Sequence, residues 1–471
     1  MIIVESTRTH DTVHGLLAAT AMGVYLLLLV GATTAVTDAA AACTAWPACG
    51  DGFATPTTLA GWVAIGHRIA AVAVGLLGVV TLVAALRADV ERRVLVPMLA
   101  AGALYPVQAG LGALVATEGG GGTLSALHLV VGMAIFGGLV AALAWSLESE
   151  TGDPSESPTG HPEPDLPPAE SHDPDVPTAP LARAKATANA YFRMMKPRLM
   201  WLLCLVASAG MALASATTGG LSPEIVLATL GGGVLSIGAS GTFNHVFERD
   251  IDRRMSRTND RPLATDLVPV RNAIAFGLVL AAASLALFAW VNVLAAVLGL
   301  AAIVFYSVVY TLMLKPNTVQ NTVVGGAAGA LPALIGWVAV TGEVGLGGLV
   351  LATVIFLWTP AHFYNLALAY KDDYERGGFP MMPVVRGETT TRKHILWYLG
   401  ATLVAAGVLA ATEALGLLYA LTSVAFGGLF LYFVVRLHYE QSERAAFRAF
   451  HASNAYLGTV LLAVVVDTLA L

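Results

Sequence analysis

The stretch NHVFERDIDRRMSRTNDRPL, Asn244 to Leu263, packs four acids and five arginines against the end of an apolar run. The run before it is about 20 residues long, enough to cross the hydrocarbon core of a bilayer as a helix. Such runs recur along the chain. Of 471 residues, 56% are hydrophobic and 12% charged, about half the charged fraction of a soluble domain. The class that follows is an all-α polytopic membrane protein. A strand barrel would need short alternating segments, which are absent. The net charge of −6 gathers into no basic face, so nucleic acid is not an expected partner.

Four spans are expected first, at about 14–36, 60–86, 95–116 and 125–146. His14–Val36 reads as a retained span, because the residues before it lack a basic leader. Residues 147–180 then hold nine prolines, nine acids and no Lys or Arg, the composition of an extended tether. About nine spans follow: 198–218, 223–246, 270–290, 292–313, 320–341, 347–369, 396–415, 417–436 and 452–471. The expected organisation is a four-helix membrane domain (1–147), a linker (148–188) and a nine-helix bundle (189–471). With thirteen spans and the N-terminus inside, every Arg/Lys-rich loop falls on the cytoplasmic side. The loop holding Cys43 and Cys49 then faces outward, where a disulfide is chemically permitted.

Asn244, Glu248 and Asp252 recur at i, i+4 and i+8, one face of a helix. Their oxygens are hard ligands that suit Mg²⁺, which shares its shell with water and phosphate. Arg253, Arg254, Arg257 and Arg261 follow, with forks that match phosphate oxygens. The plainer reading of these arginines is a solvated topogenic loop, but that loop has no need of the acids. A second charged segment, YKDDYERGGFPMMPVVRG (Tyr370–Gly387), begins at the same end of the tenth span. There Asp372 and Asp373 can hold a second ion and Lys371 can balance diphosphate charge. Two acidic loops at one cavity would form a metal clamp for a diphosphate whose apolar tail lies among the spans.

The sequence resembles the intramembrane aromatic prenyltransferase superfamily. NHVFERDIDRRMSRTNDRPL, LKPNTVQNTVVGGAAGALPALIGWVAVTG, LWTPAHFYNLAL and YKDDYERGGFPMMPVV are similar to its protohaem IX farnesyltransferase (haem O synthase) branch over about 189–471. The resemblance implies transfer of a farnesyl group from its diphosphate to a vinyl group of protohaem, giving haem O for terminal oxidases. It implies Mg²⁺ and diphosphate at Asn244, Glu248, Asp252, Asp372 and Asp373, helped by Lys371 and by Arg198 of KPRL. Glu248 stands where that branch usually has Asp. Ala361 and Tyr364 replace the usual Pro and Trp beside His362, a residue that could contact haem or a helix neighbour. The implied setting is the cell membrane, with the lipid bilayer around the chain and haem A synthase or oxidase assembly factors as partners.

The first domain is similar to half of a haem A synthase, through CTAWPACG, GHRIAAV, VQAGLGALV and ALHLVVGM. That resemblance implies haem held by His67 and His128, with Cys43 and Cys49 as the loop pair. A Glu that stands three residues before the span-two His in that enzyme is here Ala64. Two alternatives stay open: a related prenyltransferase with a quinone-precursor or lipid acceptor, and a non-enzymatic membrane haem carrier.

Overall fold

The computed structural model describes residues 2–36, 42–43, 45–49, 55–118, 122–156, 158, 178–413 and 415–470. Those residues form helices and connecting turns, with no strand among them. The first set is α1 (Ile2–Val36), α2 (Leu59–Arg87), α3 (Arg92–Glu118) and α4 (Gly122–Thr151). A short helix, α5 (Pro180–Met194), precedes α6 (Pro197–Thr218), α7 (Pro223–Phe247), the single turn α8 (Arg249–Asp252) and α9 (Val270–Val291). Next, α10 (Val293–Val304) continues as a π-helix over Phe305–Leu314, followed by α11 (Asn321–Thr341) and α12 (Leu346–Ala369). The chain ends with α13 (Lys371–Arg376), α14 (Met382–Val385), α15 (Glu388–Thr412), α16 (Leu417–Glu440) and α17 (Glu443–Leu469). Among the described residues, thirteen helices are long and apolar enough to cross a membrane, as the composition predicts.

Helix association in lipid relies on close backbone approach rather than on apolar burial. The α6–α11 pair illustrates this. A methyl group on Gly210 would run into the Ala333 carbonyl, and one on Gly336 into that of Ala207. Around this pair, neighbouring helices close a ring in which α6 also meets α7 and α17, and α12 meets α11, α15 and α17.

The first four helices lie against that ring, α1 on α15 and α16 and α4 on α15. The Tyr25 hydroxyl hydrogen-bonds Ser423 at 2.7 Å, and Trp145 meets Trp397 edge-on at 6.4 Å. A single apolar core takes buried residues from both sets.

Several boundaries differ from expectation, the start of α1 at Ile2 rather than near residue 14 among them. Helices α15 and α17 begin at Glu388 and Glu443, eight or nine residues before the expected spans, because their polar first turns are capped. The Ser442 hydroxyl accepts from Ala445 N, and Glu156 caps α15. The expected linker 148–188 is helical at both ends, in α4 to Thr151 and in α5 from Pro180. Helix α5 buries Ala190 and Met194 against Leu263 and Val268 of the loop after α8 and Ala273 of α9, so apolar contact outweighs the tether-like composition there. Of that linker, residues 157 and 159–177 lie outside the described residues.

Candidate active site

The face of Asn244, Glu248 and Asp252 crosses a joint rather than one continuous helix. Helix α7 pauses at Glu248 (φ −96°, ψ 4°) and α8 adds one turn. The backbone still carries the register, with Glu248 N donating to Asn244 O at 2.9 Å and Asp252 N to Glu248 O at 2.7 Å. All three side chains are buried, 2%, 4% and 2% exposed. Buried carboxylates need partners. Lys315 Nζ donates to Glu248 Oε1 at 2.6 Å, and Arg261 Nη1 donates to both Asp252 oxygens at 2.8 Å. The same Arg261 nitrogen stands 3.8 Å from Glu248. Asn244 accepts from Lys196 Nζ and donates to Thr311 Oγ1 at 3.2 Å.

The π-helical segment explains how Lys315 reaches this face. Its i→i+5 pattern is seen in Lys315 N donating to Tyr310 O at 2.8 Å, and the Thr311 hydroxyl reaches back over the same interval to Tyr306 O at 2.8 Å. On an α-helix, Tyr306 and Lys315 would project from opposite sides. At about 4.4 residues per turn, Tyr306, Thr311 and Lys315 share one side. Tyr306 accepts from Lys196 at 3.2 Å, Thr311 holds Asn244 and Lys315 holds Glu248.

The second loop is bonded to the first. Asp373 is 4% exposed. Its Oδ1 accepts from Ser256 N (3.1 Å), Ser256 Oγ (2.5 Å) and Arg376 Nη1 (2.8 Å), and its Oδ2 from Arg257 N (3.0 Å). Arg257 lies over the rings of Tyr370 and Tyr374, 4.5 and 5.1 Å from their centroids. Lys315 lies 4.3 Å over Phe379. Met255, Tyr374, Phe379 and Met381 form an apolar patch between the loops. Beside them opens a cavity of about 500 Å³ lined by Arg257, Lys371, Asp372, Asp373, Arg376, Glu388 and Arg392, among others.

The two acids on the first loop are poised differently. Burial pushes the Glu248 carboxyl up, but Lys315, Lys196 and Arg261 outweigh it and hold it below the usual carboxylate range. Burial wins at Asp252, whose carboxyl sits above that range despite Arg261, with Glu248 adding to the push. At Asp373, hydrogen bonds from Ser256 and Arg257 overcome burial and keep the acid strong. Burial, reinforced by Arg261 and Lys315, drops the Lys196 ammonium to about 7.

Not every expected residue joins this cluster. Arg253 donates to Ala264 O at 2.8 Å and Asp266 at 2.7 Å, bracing its own loop. Arg254 is half-buried, and Arg198 is exposed in the first turn of α6. Asp372 is exposed at the cavity wall, and Lys371 donates to Glu388 at 3.0 Å. His362 is stacked between Trp358 and Phe450, both at 4.3 Å, with Nδ1 bonded to Ser453 Oγ at 2.6 Å. The sequence reading gave no site role to Lys196, Ser256, Tyr306, Thr311 or Lys315. Lys315 stood in a recognised motif, but the π winding that turns Tyr306 and Thr311 inward leaves no composition signal.

In the first four helices, His67 and His128 each carry a buried Nδ1 without a partner among the described residues. Gly31 and Gly112 leave room for the two rings, since an added Cβ would lie 3.3 and 3.1 Å from their Cε1 atoms. Cys43 and Cys49 form a disulfide, and Arg68 holds their loop by donating to the carbonyls of Cys43, Ala45, Pro47 and Ala48.

Among the described residues, no three His, Cys, Asp or Glu side chains stand close enough to hold an ion by themselves. The donors are carboxylate and amide oxygens, already neutralised by Lys and Arg. Such a set fits an ion that takes the rest of its shell from water and a phosphorylated ligand, as Mg²⁺ does.

The UbiA prenyltransferase family profile matches residues 203–457. The chain is 69% identical over 462 residues to the protoheme IX farnesyltransferase of Haloquadratum walsbyi, covering 97% of this chain and 96% of that protein. It is 66% identical over 462 residues to the protoheme IX farnesyltransferase of Haloarcula marismortui, covering 98% and 99%. A solved structure of digeranylgeranylglyceryl phosphate synthase superposes with a TM-score of 0.51 at 16% identity, over 61% of this chain and 100% of that one, which shows a shared fold.

Proposed function

The chain belongs to the UbiA prenyltransferase family, among its protoheme IX farnesyltransferases, and from that premise we propose that it transfers a farnesyl group from farnesyl diphosphate to the vinyl group of protohaem IX, giving haem O. The bond from the farnesyl C1 to the diphosphate breaks, a carbon–carbon bond forms from C1 to the terminal vinyl carbon, and the cation left on the inner vinyl carbon is captured by a water molecule, which loses a proton and leaves a hydroxyl. Asn244, Glu248 and Asp252 on one side, with Asp372 and Asp373 on the other, would hold Mg²⁺. The ion would neutralise the diphosphate and stabilise it as it leaves. Arg257, Arg261, Lys196 and Lys315 would orient the diphosphate and take up its charge. Arg198, Arg254 and Lys371 extend the cationic rim; Arg253 braces the loop. The apolar helices above hold the tail and keep water from the allylic cation. The observation that carries the reading is the direct bonding of Asp373 to Ser256 and Arg257, which brings the two acidic loops to one end of the bundle.

The loops face the cytoplasm, by the distribution of basic residues. Haem in the first domain would sit between His67 and His128, whose unpartnered Nδ1 atoms and glycine clearances support that reading. His362 has its ring faces and one nitrogen engaged, which favours a positioning role over iron contact. The full chain in detergent or vesicles, given protohaem, farnesyl diphosphate and Mg²⁺, is expected to release diphosphate and yield haem O by mass. Alkylation of a quinone precursor or a lipid instead would change the acceptor, and haem uptake without diphosphate release would replace the enzyme with a carrier.

A further inference from the structure

The residues leaving α4 do not hang free of the second bundle. Thr151 O accepts from Gln441 Nε2 at 2.7 Å, and Asp153 N donates to Thr389 Oγ1 at 3.1 Å. Glu156 then places its carboxylate on the first turn of α15. Glu388 N donates to Oε1 at 2.6 Å and Thr389 N to Oε2 at 2.9 Å. Both oxygens thus cap backbone donors that α15 cannot satisfy internally. The preceding residue is Gly387, at φ +86°, where a side chain would be strained and its Cβ would lie 2.5 Å from Glu156 Oε2. Only glycine leaves this seat open.

The capped turn is part of the cavity wall. Glu388 accepts from Lys371 Nζ at 3.0 Å and stands 3.8 Å from Arg392 Nη1. Arg392 is 2% exposed, and its Nε has no partner among the described residues. Lys371, Glu388 and Arg392 line the cavity together with Asp372, Asp373 and Arg257. A displacement of the Gly387–Thr389 turn would therefore move Glu388 and, through it, two cations facing the second acidic loop.

We propose that Glu156, supplied by the segment that follows the first four helices, is a positioning residue for the diphosphate site: it fixes the start of α15 and thereby the placement of Lys371 and Arg392. The inference rests on the reading of the two acidic loops as a diphosphate clamp. It makes the first set of helices a mechanical part of that site.

The test uses the full chain with Glu156→Ala and Glu156→Gln. Amide exchange at Glu388 and Thr389 is expected to speed up, and KM for farnesyl diphosphate to rise about five-fold in the alanine variant, the equivalent of a lost helix cap. KM for protohaem and kcat are expected to stay within about two-fold. Glu156→Gln keeps the shape and one acceptor, falls between the two, and carries the same test should the alanine variant fold poorly. Faster exchange with an unchanged KM for farnesyl diphosphate would overturn the proposal, as would unchanged exchange. Asp252→Asn is run alongside: if it keeps full turnover, the diphosphate reading itself fails, whereas its loss of turnover with an unmoved KM in both Glu156 variants faults the positioning role alone.

Discussion

At the rim of α7, α10 and α12, the buried carboxylates of Glu248, Asp252 and Asp373 all meet cations or N–H donors inside the protein, whereas His67 and His128 in α2 and α4 carry a buried Nδ1 that meets nothing among the described residues. The first arrangement is charge-balanced on its own and can exchange partners: a metal can take the acids while the freed Lys and Arg take phosphate. The second is incomplete without something from outside. A buried polar atom left unpaired destabilises by about 1–3 kcal/mol, a cost that the two imidazoles carry and the three carboxylates avoid. On the proposed reading, the difference separates a site assembled for turnover from one shaped for holding.

Several outcomes would break or sharpen that contrast. The largest effect belongs to metal removal: chelation is expected to abolish diphosphate release, and excess Mg²⁺ to restore it, while leaving any haem spectrum of the first four helices unchanged. Asp252→Asn removes one oxygen charge from the clamp and should lower kcat by about 10³-fold, read by diphosphate release. Lys315→Met strands Glu248 in a buried position. It is expected to lower stability by roughly 3 kcal/mol, seen as a drop in Tm, and turnover by about ten-fold. Tyr306→Phe loses only the hydrogen bond to Lys196, so a change near five-fold in KM for farnesyl diphosphate is expected, equivalent to about 1 kcal/mol. The smallest effect on turnover is that of His67→Ala, within about two-fold, although the same variant should erase the haem difference spectrum. A large turnover loss there would merge the two regions into one catalytic unit.

The thirteen spans were legible because apolar length and basic loops are written directly in composition, and both survive any detail of packing. Asn244, Glu248 and Asp252 were legible because their four-residue spacing keeps one face even across the joint at Glu248. The partners of those acids were not. Tyr306 and Lys315 fall on opposite sides under α-helical spacing, and only the π winding, a product of the surrounding bundle, reunites them. Nor was the docking of Thr151–Glu156, since its acids and proline match the composition of a tether; the seat that Gly387 leaves for Glu156 is a property of the folded partner. Arg253 looked equivalent to its neighbours and is instead tied to Asp266 and the Ala264 carbonyl.

The clamp is tested most directly by a double-mutant cycle on farnesyl thiodiphosphate affinity in the presence of Mg²⁺, using Asp252→Asn, Asp372→Asn and both together. Asp372 is exposed and lies on the other loop, so strong coupling between the two carboxylates points to a ligand that they hold jointly. A single metal–diphosphate unit gripped from both loops predicts strong non-additivity, with the second substitution adding little once the first is present. Additive losses would mean that the two loops act on separate ligands, and would contradict the account.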